Sequence, residues 1–156
     1  LHNYYRGAHL SVYDHEAKTY IDQLSGVIDA LRALAVWEQA THSRWNKPAV
    51  WVHGDLGSGN ILVSGGQLAA VIDFGCMGVG DPACDLTIAW TFFRGKARQI
   101  FKDHVGLDTD TWARARGWAL WKAGYEWVTT KDKRSLAANQ QRQIIEDILL
   151  EHIATA

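Results

Sequence analysis

The stretch 49–86, AVWVHGDLGSGNILVSGGQLAAVIDFGCMGVGDPACDL, constrains the fold of this chain more than any other. It holds most of the glycines, which serve turns and close backbone approach and disfavour helix. Val50-Trp51-Val52, Ile61-Leu62-Val63 and residues 68–72 are short apolar runs of strand character. Ser64-Gly65-Gly66-Gln67 reads as a two-residue hairpin turn between the last two. The flanks are helical in pattern. Asp14 can cap a helix whose stripe is Ala17, Tyr20, Ile21, Leu24 and Ile28, and a second stripe runs through Leu31, Leu34, Ala35 and Trp37. Pro48 ends that block. Asp81-Pro82 starts helix again, and Asp108-Thr109-Asp110-Thr111 opens a further helix. Its apolar positions are Trp112, Trp118, Trp121, Tyr125 and Val128, and a last helix covers residues 135–153. The expected class is α+β, mostly helical, with a small β-hairpin segment (49–80) between helical segments 1–48 and 81–156.

Composition excludes several functions. A chain of 156 residues has the length of one domain or of part of a larger one. The net charge of −1 lacks the basic excess of a nucleic-acid binder, so no nucleic-acid partner is expected. No apolar run reaches the ~18 residues of a membrane span, so no membrane partner is expected either. Cys76 and Cys84 fit neither a zinc pair nor a disulfide framework, which suits two reduced thiols in the cytoplasm. His2, His9, His15, His42, His104 and His152 show no ligand spacing. Trp118, Trp121 and Tyr125 read as core rather than as a ring-stacking platform.

The chemistry concentrates in His53-Gly54-Asp55, Asn60 and Asp73-Phe74-Gly75. With Gly65-Gly66 as the turn, Ser64 faces Gln67, Leu62 faces Ala69 and Asn60 faces Val71. Side chains alternate with period two, so Asn60, Leu62, Val71 and Asp73 share a face. Asp73 then lies about 7 Å along the strand from Asn60's partner. An amide oxygen and a carboxylate can thus converge on one hard cation such as Mg²⁺. Asp55, in the preceding loop, can face a hydroxyl, and Leu62 can lie under an apolar ring.

H-x-D-x-x-x-x-N followed by D-F-G resembles the catalytic loop and metal-binding segment of the protein-kinase superfamily. Three details narrow the resemblance. Gly54 stands where protein kinases have arginine, Val-Trp-Val-His-Gly-Asp-Leu leads into the loop, and Gly-Val-Gly-Asp-Pro-Ala-Cys-Asp-Leu follows over 78–86. Together these are similar to the aminoglycoside phosphotransferase family of small-molecule kinases, and segment 110–122 is similar to a later helix of its bacterial members. The resemblance implies the C-terminal lobe of a kinase-like fold. It implies Asp55 as catalytic base, Asn60 and Asp73 as magnesium ligands, and Leu62 as the adenine floor. His53 would brace the metal-binding loop, and Asp81 and Asp85 would cap or brace the next element. The implied cofactors are ATP or GTP with Mg²⁺, and the acceptor is a small-molecule hydroxyl, on an aminoglycoside or a metabolic alcohol.

There are departures. Gly57-Ser58 replaces a common His-Pro or His-Ala, and Cys76 follows Gly75 where an acid is frequent. No glycine-rich loop followed by a strand lysine precedes His53, although kinases need both. The expected partner is therefore an N-terminal nucleotide-binding lobe missing from residues 1–156, which alone should transfer little phosphate. Two other readings compete. One is a non-catalytic kinase-like binding or scaffold module. The other, a metallophosphoesterase, is disfavoured because Gly59-Asn60 is followed by Ile61 and not by histidine.

Overall fold

A computed structural model describes residues 3–155, so His2 lies outside the described residues. The architecture is mostly helical α+β with two small antiparallel sheets. In chain order it runs α1 (Asp14–Gln23), α2 (Ala30–His42), β1 (Val50–Val52), β2 (Ile61–Ser64), β3 (Gln67–Val71) and β4 (Gly78–Gly80). Then follow α3 (Ile88–Thr91), α4 (Gly95–Val105), α5 (Thr109–Thr129) and α6 (Leu136–Thr155). No helix among the described residues is long and apolar enough to cross a membrane.

The core is organised around α5. Asp108 starts it, accepting from the backbone N–H of Thr111 at 2.8 Å and from the Thr111 hydroxyl at 2.6 Å. From Thr111 to Trp121 the helix is buried on every side, against α1, α2, α6 and the 3-10 turn Pro82–Thr87. Gly117 permits the close approach of α2, since a Cβ there would stand 2.5 Å from the Ala40 Cβ. That contact accounts for a mid-helix glycine, which otherwise costs about 1 kcal/mol relative to alanine. Arg114, buried in the middle, donates to Asp81 Oδ2 at 2.6 Å, to Ser43 Oγ at 2.9 Å and to Thr111 Oγ1 at 3.1 Å.

Several expectations need correction. Asp14 is the first residue of α1 rather than its cap, and its carboxylate accepts from Lys18 and from the Trp37 indole instead. Ile28 lies beyond the end of α1. In α2 the buried face is Ala33, Val36, Trp37 and Ala40, while Leu31 is 82% exposed, because the seam with α5 runs one residue round from the apolar stripe. Asp81-Pro82 opens a 3-10 turn before the short α3, not one continuous helix. Strand β4 was not anticipated. It pairs with β1 in the register Val50↔Gly80, Trp51↔Val79, Val52↔Gly78.

The hairpin register also differs. Ser64↔Gln67 holds, but a bulge between Leu62 and Val63 inserts Ala69, giving Leu62↔Ala70 and Ile61↔Val71. Asn60 therefore faces Ile72, whose N–H donates to the Asn60 carbonyl at 3.0 Å. The strands and the segment joining β3 to β4 leave large apolar side chains uncovered: Trp51, Val63, Leu68, Phe74, Met77 and Val79 are all exposed.

Candidate active site

The loop after β1 is fixed from behind by Asp85. Its two carboxylate oxygens accept from the backbone N–H groups of His53 and Gly54, each at 2.7 Å. Charge-assisted bonds of this kind are the strong ones. The His53 ring then links the loop to the next segment. The Asp55 N–H donates to its Nδ1 at 3.3 Å, so the proton sits on Nε2, which donates to the Ile72 carbonyl at 2.9 Å. The same ring lies 4.6 Å from that of Phe74. Gly54 has φ +83°, and a Cβ there would come within 2.2 Å of the Cys76 carbonyl oxygen. The arginine of protein kinases has no room at this position. Asp81 is buried, caps the 3-10 turn by accepting from the Ala83 N–H at 3.0 Å, and pairs with Arg114.

Asp55 projects from this frame with its side chain 41% exposed. Its Oδ1 receives the Lys122 ammonium of α5 at 2.6 Å. Partial burial pushes its pKa up. The Lys122 hydrogen bond and charge, with the Arg6 charge behind them, more than offset this and hold the carboxyl below its ordinary range. Asp55 is thus an anion at neutral pH.

Asn60 closes the 3-10 turn Ser58–Asn60. Its Nδ2 donates to the Asp55 carbonyl at 2.8 Å, which leaves the amide oxygen as its ligating end. Asp73 reaches its place by a different route from the one alternation suggested. With Asn60 opposite Ile72, strand periodicity no longer sets the carboxylate's side. Asp73 has φ +62° and ψ +63°, the left-handed conformation, which turns the chain out of the strand. A Cβ at Gly75 would stand 3.3 Å from Asp73 Oδ1, so glycine keeps that carboxylate uncrowded. Among the described residues no cluster of three or more His, Cys, Asp or Glu could hold a metal. An amide oxygen with one exposed carboxylate nevertheless fits Mg²⁺, which takes few protein ligands and completes its shell with water and phosphate oxygens. Leu62, on β2, is 47% exposed.

Two clefts meet at this site. A polar one of about 460 Å³ is lined by Ser58, Asn60, Thr91, Arg94 and Gln140. An aromatic one of about 500 Å³ is lined by Tyr4, Tyr13, Trp121 and Tyr125, with Arg6 and Glu16. Asp55, Lys122 and Glu126 line both. Lys122 and Arg6 were not anticipated from the sequence. The available signal was a lysine at 118 + 4 on the otherwise aromatic face of α5. Cys76 and Cys84 are free, and burial pushes the Cys84 thiol up to about 12.

Residues 5–118 match the family model of the phosphotransferase enzyme family, APH. Neither the curated proteins nor the solved structures contain a match.

Proposed function

This chain belongs to the phosphotransferase enzyme family, and on that premise we propose that it is a small-molecule kinase. It would move the γ-phosphate of ATP or GTP, with Mg²⁺, to a hydroxyl of the acceptor. The observation that carries this reading is the Asp55–Lys122 pair at 2.6 Å, placed where two clefts meet, on a loop pinned by Asp85.

Asp55 Oδ1 is held by Lys122, and Oδ2 is the oxygen left to take the acceptor's hydroxyl proton. Asn60 and Asp73 would hold Mg²⁺, and the metal, when bound, supplies charge neutralisation on the phosphate oxygens. Lys122 and Arg94 add positive charge to the polar cleft beside Asn60, which favours an anionic phosphoryl group there. Leu62 offers an apolar surface to the nucleotide base. His53, Asp81 and Asp85 do no proton chemistry. Asp85 and His53 fix the loop from which Asp55 projects and tie it to the segment before Asp73, while Asp81 anchors the following turn to Arg114. Phosphoryl transfer is mostly positioning and charge stabilisation, so such rigidity is functional.

In this reading the chain is the C-terminal lobe of a kinase-like fold. A nucleotide-binding lobe outside residues 1–156 would cover the exposed apolar strands and bring the glycine-rich loop and lysine. Residues 1–156 alone would then transfer little phosphate.

Calorimetric titration of ATP in the presence of Mg²⁺ tests the metal assignment on the full-length enzyme. Asp73→Ala should weaken binding by about tenfold or more, as chelating Mg²⁺ should in the wild type. Asp55→Asn should bind as the wild type does. Binding indifferent to both Asp73→Ala and chelation would remove Asp73 and the metal from the account.

A further inference from the structure

We infer that the acceptor is a ring-bearing molecule of at most one positive charge, stacked on Tyr125 at the open end of the Tyr13–Trp121–Tyr125 stack, and not a polycation. The inference rests on the reading of Asp55 as the residue that meets the acceptor hydroxyl.

On α5, Trp118, Trp121, Lys122, Tyr125 and Glu126 fall within one face at the helical repeat. The Trp121 and Tyr125 rings are close to parallel, 16° between planes with centroids 6.4 Å apart. Tyr13 extends the stack, its centroid 4.1 Å from that of Trp121. Trp121 is buried, but Tyr125 is 44% exposed. The stack therefore ends on an open aromatic surface in the cleft that also contains Asp55. Open rings of this kind bind other flat or ring-shaped groups.

The charges in this cleft select against a polycation. Arg6 lies over both Trp118 and Trp121, 5.1 Å from each centroid, and Lys122 sits on Asp55. Glu16 is engaged by the Trp121 indole and the Tyr20 hydroxyl, each at 3.3 Å. Glu126 is the carboxylate left to meet a ligand. The lining carries three carboxylates, of Asp55, Glu16 and Glu126, against the two fixed cations, a net charge of −1 that one ammonium group balances and several would exceed, and like charges in apposition are costly. A neutral or singly charged ring compound could stack on Tyr125, give one hydroxyl to Asp55, and donate a second hydroxyl or one amine to Glu126. The polar cleft of Thr91, Arg94 and Gln140 is the rival seat, and it offers hydrogen bonds without stacking.

Quenching of tryptophan fluorescence in the full chain, without nucleotide, tests this, since Trp121 lines the cleft. The probes are phenyl β-D-glucopyranoside, methyl β-D-glucopyranoside and spermine. The phenyl glucoside should bind saturably and about tenfold more tightly than the methyl glucoside, with spermine no tighter than the latter. Tyr125→Ala should remove that advantage and Tyr125→Phe should keep it, which separates stacking from misfolding. Tighter binding of spermine, an advantage that survives Tyr125→Ala, one lost instead in Gln140→Ala, or no saturable binding of any probe would each overturn the inference. Phosphoryl transfer assayed in parallel separates the two levels. Transfer still blocked by Asp55→Asn leaves the kinase reading standing when the ring preference fails, whereas transfer unaffected by that change removes the reading beneath it.

Discussion

Arg114 and Trp51 mark two ways of building this molecule. Arg114, in the helical core, is 2% exposed and makes hydrogen bonds to three side chains, on α5, on the turn before α3 and after α2. Trp51, on β1, is 74% exposed, on a sheet of only two short strands. The core region is over-determined. It supplies what must not move: Lys122 from α5 and Asp85 from the turn before α3. The strand region carries Asn60 and Asp73 on a bulged hairpin and a left-handed residue, and buries little. Stability lives in one region and the candidate phosphate chemistry in the other, with Asp55 at the seam.

Substitutions can break that division or sharpen it. The largest effect should come from Asp81→Ala, which leaves the Arg114 guanidinium buried without its carboxylate. Chemical denaturation should show a loss of about 3–5 kcal/mol, and a loss under 1 kcal/mol would mean the core is not organised around this pair. Lys122→Met comes next. It should lower turnover about a hundredfold with little change in melting temperature, because it takes away a charge at the proposed catalytic carboxylate and no core contact. A large fall in melting temperature with turnover intact would place Lys122 with the core.

Acidification should loosen the start of α5. Asp108 is held well below the ordinary carboxylate range by hydrogen bonds from Lys47 and Thr111. Its folded pKa lies below its unfolded one, so its contribution is complete above the unfolded value. It is lost as pH falls through the folded one. The pair is nearly half exposed, so the effect is modest. Melting temperatures of wild type and Asp108→Ala should converge as pH drops toward 2, and a constant gap would contradict the assignment. The smallest effect should be that of Trp51→Ser, within about 0.5 kcal/mol in residues 1–156. A larger loss would show the strand region to be a second core.

The same division governs what could be read from the sequence. Asp55, Asn60 and Asp73 stand out in the sequence as candidates because their spacing is local and their loop is short. Asp108 and Asp81 were legible because caps are local too. Lys122 was not, since it reaches Asp55 across 67 positions. Strand β4 escaped notice because two of its three residues are glycine and it has no apolar run. The bulge at Leu62 and Val63 left no mark beside an ideal turn, so the register came out one residue wrong. Leu31 and Tyr125 were assigned to the interior by pattern, but helix contacts decided otherwise: Leu31 faces solvent and Tyr125 an open cleft.

The central claim is that Asp55 is the base of a phosphotransferase. Single-turnover transfer of labelled γ-phosphate from ATP to acceptor, in the full-length enzyme and its Asp55→Asn variant, tests it most directly. The account predicts that the variant still binds ATP and Mg²⁺ but transfers at least about a thousandfold more slowly. Transfer at the wild-type rate by Asp55→Asn would contradict it.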